Sequence, residues 1–475
     1  MITASNTVKL DRYFFAALDR SSPYHGFEIS LMVYFMYRRV FLEANEMMKK
    51  VLLPVIAVLF ALFLAAGCGD YSEGLFGGDK EGYPGASSDG PGGSATGDSE
   101  TDIDGGDDGN EEQNRPKPSQ LTAGEWSDIK NYDFYLNLFK PGDPGIDESQ
   151  KRNDYSNLKK YFGFETRYMV TVNVKSDGFP VDDAAVELYD ASENKLFVAK
   201  SDKRGNAYLF PSYDLDGEDI AIKVKSGSWK FSDSFLYSGE TINVELDGRE
   251  TVRDVLDLMF VIDTTGSMGD ELGYLKSEIE SVINSISRQN ANHTINLALL
   301  FYRDIGDEYV TRYFDFTTNI ASQKTNLGKQ SANGGGDFPE AVDKALKEAM
   351  EKNWSTDNAV RLIFHVLDAP PHDEQVHQTA YYNAVKSAAE KGIRIIPVAS
   401  SGIDLKTEYL LRQEALMTGG TYIFLTDDSG IGNPHMQPTV GSYTVEYLNA
   451  CMVRVVNEYL TGVETEPVPY YEAAQ

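Results

Sequence analysis

Leu256-Asp257-Leu258-Met259-Phe260-Val261-Ile262-Asp263-Thr264-Thr265-Gly266-Ser267-Met268 is the stretch on which the fold turns. Leu256 to Ile262 is an almost unbroken apolar run of the kind a strand buried on both faces needs. The run ends in one carboxylate, Asp263, and two hydroxyls at alternate positions, Thr265 and Ser267. Gly266 permits a tight turn, and Leu272, Leu275, Ile279, Val282, Ile283 and Ile286 then recur at helical spacing. The order is strand, loop, helix. In an open, doubly wound α/β sheet, ligands bind in the crevice beyond the carboxyl ends of the strands. Three small oxygen ligands at such an edge suit a hard divalent cation. Taken alone, the same residues also fit an ordinary turn with a helix cap.

Two later segments favour the cation. Gly334-Gly335-Gly336-Asp337-Phe338-Pro339-Glu340 is a glycine-rich loop that opens a helix carrying Ala341, Val342, Ala345, Leu346 and Ala349, with Pro339 expected near its first turn. Arg361 to Leu367 is a second buried strand, and it runs directly into Asp368-Ala369-Pro370-Pro371. Three segments thus each offer a carboxylate at a strand end or loop.

Together these segments resemble the metal-ion-dependent adhesion site of von Willebrand factor type A domains: Asp-x-Ser-x-Ser, a Thr or Asp in a second loop, and an Asp after the fourth strand. The resemblance spans about 254–462 and is closest to a bacterial branch of that family. Ala298 to Tyr309, the Gly334–Glu340 loop, Leu367 to His372 and Gly420 to Gly430 all follow that branch. It implies a Rossmann-like domain in which Thr265 and Ser267 bind Mg²⁺, or Mn²⁺ or Ca²⁺, directly. Asp263 and Asp368 would bind the ion or its waters, and Asp337 would take the second-loop position. Adhesive members usually have Thr there; a third carboxylate makes the ion a weaker acceptor for an acidic ligand.

The 475 residues suggest two or three domains, since one core rarely exceeds roughly 250–300 residues. Two cysteines provide no disulfide framework. A net charge of −30 argues against a nucleic-acid partner, which needs clustered Lys and Arg.

Met47-Met48-Lys49-Lys50 followed by the sixteen-residue run Val51 to Ala66 and by Ala65-Ala66-Gly67-Cys68 reads as a processed leader. It resembles a bacterial lipoprotein signal over 47–68, with Cys68 as the acylated residue and Leu64 one place further from it than is usual. Gly69, not Asp, follows Cys68, which implies export to the outer membrane. As an uncleaved anchor the run is shorter than the roughly twenty residues that span a bilayer. Residues 1–46 have no part in this signal and read as an extension from a mis-assigned start.

Residues 69–114 hold thirteen Asp or Glu against one Lys. Such a segment buries too little apolar surface to offset its ordering entropy, so 69–120 is expected to be an acidic, disordered linker. Thr122-Ala123-Gly124-Glu125 has the form of a capping box, and with Trp126, Ile129, Phe134 and Leu138 it predicts a short helical segment over 121–164. From 165 to 247 the period becomes two: Val170, Val172 and Val174, Val186 and Leu188, Ile220, Ile222 and Val224, and Ile242, Val244 and Leu246 alternate with polar neighbours. This predicts a small all-β sandwich, and Asp177-Gly178-Phe179-Pro180-Val181 with the strands around it resembles the carboxypeptidase-regulatory or transthyretin-like family. Residues 463–475 are left as a tail.

No phosphate loop, HExxH pair or Gly-x-Ser-x-Gly elbow is present. His372, Asp373, Glu374 and His377 can be drawn as a second metal site or a hydrolytic base, but loop histidines beside carboxylates are more often hydrogen-bond partners. Arg303, Asp304 and Asp307 are expected to buttress the site, and Cys451 to be a packed thiol. The sequence therefore describes a non-enzymatic, lipid-anchored protein of the bacterial envelope, at the outer membrane or cell surface. It would bind a protein partner, ideally through a Glu or Asp that completes the coordination of the ion. An envelope assembly factor with a structural ion is the alternative, and a metal-dependent hydrolase the third reading.

Overall fold

The computed structural model describes residues 116–140, 147–250, 254–356 and 359–473. The leader with Cys68 and nearly all of the acidic linker lie outside the described residues. No helix among the described residues is long and apolar enough to cross a membrane.

The apolar run becomes strand β10 (Val255–Asp263), which is buried along nearly its whole length because a strand lies on each side of it and helices cover both faces. It pairs in parallel with β11 (Thr294–Tyr302) and with β13 (Ala359–Leu367). Parallel strands β14 (Ile393–Ala399) and β15 (Tyr422–Leu425) extend the sheet beyond β13, and antiparallel β12 (Thr311–Thr317) closes the other edge. The parallel order β11-β10-β13-β14-β15 reverses direction between β10 and β13. That reversal is the switch point of a doubly wound sheet, where a crevice opens.

Helices α3 (Leu272–Gln289), α4 (Ile320–Gly328), α5 (Val342–Met350), α6 (Gln375–Lys391), α7 (Leu405–Thr418) and α8 (Leu448–Thr461) complete the α/β layers. The periodic residues of α3, from Leu272 to Ile286, are all buried, as their spacing predicts. Helix α5 begins at Val342, so Pro339 precedes its first turn instead of occupying it. The chain is still committed there to a neighbouring loop, because the Glu340 amide donates to the Pro370 carbonyl at 2.9 Å.

The capping-box reading of Thr122–Glu125 is corrected by the structure. Thr122–Trp126 is strand β1, which pairs antiparallel with β15 on one side and with β16 (Glu446–Tyr447) on the other. A Thr-x-x-Glu pattern caps a helix only if its hydroxyl and carboxylate are free to turn back on the local backbone. Here the Thr122 hydroxyl meets that of Thr426 at 2.8 Å, and Glu125 pairs with Arg454 at 2.7 Å. Tertiary partners thus take both groups, and the sheet edge takes the backbone. Helical structure in 121–164 is confined to α1 (Tyr132–Asn137) and α2 (Asp147–Phe162). The main sheet therefore draws one strand from a segment over a hundred residues ahead of β10, with the β region inserted between them.

That inserted region consists of two four-stranded sheets. One joins β2 (Val170–Ser176) to β3 (Phe179–Pro180), β6 (Asn206–Leu209) and β9 (Ile242–Glu245). The other runs β5 (Lys195–Lys200), β4 (Ala185–Asp190), β7 (Asp219–Ser226) and β8 (Trp229–Leu236). The alternating valines, leucines and isoleucines named above are buried, so the period-two signal marks the inward face. The region docks on the α/β layers through Asp183, which takes Arg361 at 2.9 Å, and through the Lys200 carbonyl, which accepts from Arg394 at 2.7 Å. At the C-terminus α9 (Tyr470–Ala473) returns to the sheet, with the Tyr470 amide bonded to the Val445 carbonyl.

Helix α7 is buried on every side from Thr407 to Thr418, so its polar residues need internal partners. Arg412, fully buried, donates from Nε to Asp128 at 2.8 Å and from Nη1 to the Tyr155 hydroxyl at 3.0 Å. Glu408 accepts from Tyr155 at 3.3 Å, and Gln413 from the Thr166 hydroxyl at 2.6 Å. These bonds fasten the 122–166 segment to a helix almost three hundred residues later. Removing one member of a buried ion pair strands the other. Arg412→Met is accordingly expected to cost about 3–5 kcal/mol of unfolding free energy, measured by urea denaturation of the folded region; a loss below about 1 kcal/mol would show that the pair is dispensable.

Candidate metal centre

The parallel register of β10 and β13 sets Ile262 opposite Val366, so the two strands end level and deliver Asp263 and Asp368 to the same crevice. Both acids are buried, Asp263 fully. One Asp263 oxygen, Oδ1, accepts from the Thr265 amide at 2.8 Å and from the Thr265 hydroxyl at 2.7 Å. The Thr265 and Ser267 hydroxyls stand 3.2 Å apart; Thr265 is buried, and Ser267 reaches the surface. The structure thus brings together Asp263, Thr265, Ser267 and Asp368.

The loops around them are bonded to one another. The Gly266 amide donates to the Gly334 carbonyl at 3.0 Å, and the Asn333 amide to the Thr264 carbonyl at 3.0 Å. Arg303 bridges the first loop to the start of the glycine-rich one, donating from Nε to Thr264 O and from Nη2 to Ser331 O. The Asp307 carboxylate accepts from the amides of Gly335 and Asp304. Gly334 and Gly335 have φ of +79° and +71°, and a Cβ on Gly335 would sit 2.8 Å from Glu340 Oε1 and 3.3 Å from Thr265 Cβ. Both the backbone conformation and the close approach therefore demand glycine at 335.

Asp337 is exposed. The carboxylate of the same loop that turns inward belongs to Glu340, only 3% exposed, and the charges acting on it are those of Asp263, Asp304, Asp368 and Asp307. In the sequence Glu340 reads only as the end of the glycine-rich loop, whose ligand position falls to Asp337. The signal available was a Glu directly before an apolar helical face in a glycine-rich loop. His372 and His377 do not converge with Asp373 and Glu374. His372 Nε2 lies 2.6 Å from Asp304, His377 Nδ1 lies 3.1 Å from Asp343, and Asp373 pairs with Lys406. Cys451 is buried, and burial pushes its thiol up.

The electrostatics are those of an acid cluster in want of a cation. Burial, and then the charge of Asp368, push Asp263 up to about 7. Burial raises Asp368 to about 6, with the Ser267 hydroxyl opposing and Glu271 and Asp270 adding to the rise. Glu340 is raised to about 9, by burial first and by Asp263 next. Asp263 Oδ2, Asp368 Oδ1 and Glu340 Oε2 are all buried without a hydrogen-bond partner. Such orphaned acceptors are costly unless something unseen satisfies them. The donor set, carboxylates with two hydroxyls, fits a hard divalent ion and not a soft one. No three His, Cys, Asp or Glu side chains among the described residues form a direct ligand cluster. The hydroxyls would therefore carry part of the coordination, with water between the ion and some of the acids.

Residues 257–426 match the von Willebrand factor A domain. A 176-residue stretch is 25% identical to alpha-protein kinase vwkA of Dictyostelium discoideum, covering 37% of this chain and 28% of the kinase. Over 120 residues the chain is 32% identical to a protein of Acanthamoeba polyphaga mimivirus named as an ariadne-like RING finger protein, covering 25% of this chain and 11% of that one. The chain thus spans less than a third of either relative. Solved structures similar to it include the conserved hypothetical protein BatB from Bacteroides thetaiotaomicron, with 16% identity, a TM-score of 0.29, and coverage of 36% of this chain and 89% of that one. An aerotolerance-related membrane protein from Bacteroides fragilis is 16% identical with a TM-score of 0.25, covering 46% and 94%.

Because folding raises Asp263 and Asp368 above their ordinary 3.8, the protonated acids favour the fold. That contribution is complete below about pH 4 and disappears as pH rises to about 7. A divalent ion replaces those protons. Added Mg²⁺ is therefore expected to raise the melting temperature more at about pH 8 than at about pH 5, by calorimetry with and without chelator. An equal rise at both values would mean that the ion and the protons do not compete.

Proposed function

We propose that this chain, whose residues 257–426 form a von Willebrand factor A domain, binds a protein partner through a divalent ion held by Asp263, Thr265, Ser267 and Asp368. The observation that carries this reading is the pair of buried, unpartnered oxygens, Asp263 Oδ2 and Asp368 Oδ1, at the level ends of two neighbouring parallel strands. An ion there would draw its charge balance from the two acids and its shape from the hydroxyls. Ser267, at the surface, marks the open side, where a partner oxygen would enter.

The surroundings suit a contact surface. Ile305, Phe338 and Val376 are exposed large apolar side chains on the three segments that carry Asp304, Glu340 and His377. Beneath them the loops are already bonded into place, so little ordering entropy would remain to oppose association. The His372 and His377 rings are each paired with an aspartate, Asp304 and Asp343. Our reading is a binding role. The lipoprotein leader ending at Cys68 would anchor the chain at the bacterial envelope, with the acidic linker as its tether.

Asp263→Ala and Asp368→Ala are each expected to lower Mg²⁺ affinity by at least about 100-fold while the far-ultraviolet dichroism is kept, as read by titration calorimetry on the full chain. Partner capture from envelope extract should fall with the ion. Ion binding that survives Asp263→Ala removes the assigned site; capture that ignores chelator leaves the ion a structural role.

A further inference from the structure

We infer that His372 and His377 together bind a zinc-type divalent ion, at a site distinct in its donor chemistry from the carboxylate and hydroxyl site above. The two rings come from different elements, His372 from the loop that follows β13 and His377 from the first turn of α6. Their centroids nevertheless lie 5.3 Å apart, with the planes tilted by 46°. Zinc holds imidazole nitrogen at about 2.0–2.1 Å, so two imidazoles on one tetrahedral ion have centroids roughly 5 Å apart.

Each ring is oriented by its own carboxylate. His372 Nε2 meets Asp304 Oδ1 at 2.6 Å, and His377 Nδ1 meets both Asp343 oxygens at 3.1 Å. Asp343 is fully buried in the first turn of α5 and also takes Lys344 at 3.4 Å, and Asp304 is buried in the loop after β11. A carboxylate only accepts, so the ring nitrogen facing it carries the hydrogen. In the neutral rings the lone pairs therefore fall on His372 Nδ1 and His377 Nε2. Neither of these nitrogens has a hydrogen-bond partner among the described residues, and both side chains reach solvent, at 16% and 14% exposure.

Metal-binding histidines are ordinarily set in this way, because a carboxylate on one nitrogen fixes the tautomer and makes the other a stronger ligand. A single His–Asp pair carries no such meaning. Here two stand side by side, and their aspartates supply the negative charge that a divalent ion favours nearby. Among the described residues no group of three His, Cys, Asp or Glu forms a ligand cluster, so water or a donor from a bound partner fills the rest of the shell. Imidazole suits Zn²⁺, Cu²⁺ or Ni²⁺ better than Mg²⁺, the reverse of the preference at Asp263. Asp373, which sequence spacing grouped with these histidines, is held by Lys406 instead.

The test uses the full-length protein with Mg²⁺ in excess, Zn²⁺ as the probe and competition with a chromophoric chelator as the readout. His372→Gln and His377→Asn are each expected to weaken Zn²⁺ at least about 10-fold while the melting temperature in chelator is unchanged. A glutamine amide can take the place of Nε2 and an asparagine amide that of Nδ1, so each variant keeps a donor for its aspartate and loses the ligating nitrogen. His293→Gln, at a histidine outside the pair, is expected to bind as the wild type does. Asp263→Ala is expected to keep its zinc, which separates this site from the one proposed above. X-ray absorption at the zinc edge of the loaded wild type, expected to show two imidazoles with oxygen ligands, decides the matter even where a variant fails to fold. The inference is overturned if the wild type takes no zinc, if either ring variant binds it unchanged, if His293→Gln loses it equally, or if the edge shows sulfur or fewer than two imidazoles.

Discussion

Two buried acids held side by side by the parallel pairing of β10 with β13 are the constraint on which the rest of this site depends. Their register, with Ile262 opposite Val366, makes the two strands end together, and at the switch point no crossover helix fills the space beyond their ends. Asp263 and Asp368 therefore share a crevice that neither chose separately. In the absence of a cation, each raises the other's proton affinity or that of Glu340. Such a conflict is costly to stability and persists where the site has a use for it.

The surrounding structure holds that conflict in place. The glycine-rich loop has the one backbone that lets Gly335 pass Thr265 and Glu340 at close range. Arg303 and Asp307 then fasten the loops through backbone carbonyls and amides, while one oxygen each of Asp263, Asp368 and Glu340 is left without a hydrogen-bond partner. Polar groups around the site are thus satisfied by each other before any ligand enters. Tyr302 is fully buried beside the acids, and burial together with the charges of Asp263 and Asp368 pushes its phenol well up.

Farther away, the segment containing β1, α1 and α2 makes the sheet larger than the matched domain alone. Arg412 and Asp128 join helix α7 to this segment with no exposure to solvent. A buried pair of this kind contributes little net stability but penalises any other arrangement, so it selects how the added segment sits. The two-sheet region is docked by a similar device, Asp183 with Arg361, beside the bond from Arg394 to the Lys200 carbonyl.

Much of this was legible in the order of residues. Apolar runs over 256–262 and 361–367, the helical spacing of Leu272 to Ile286 and the alternation from Val170 to Leu246 are periodic signals, and burial alone explains them. Asp263, Thr265, Ser267 and Asp368 were readable because each is tied to the end of such a run. Tertiary structure decided what local pattern could not. Thr122–Glu125 has a helix start's residues but becomes a strand, since an open edge of β15 and a distant Arg454 outbid a local cap. Asp337 and Glu340 lie three residues apart in one loop, and nothing local says which turns inward. That choice was made by Pro370, which takes the Glu340 amide, and by Gly335, which leaves its side chain room. The chain sequence determines periodicity and chemistry; which carboxylate meets the others depends on contacts between loops, and those exist only once the sheet has assembled.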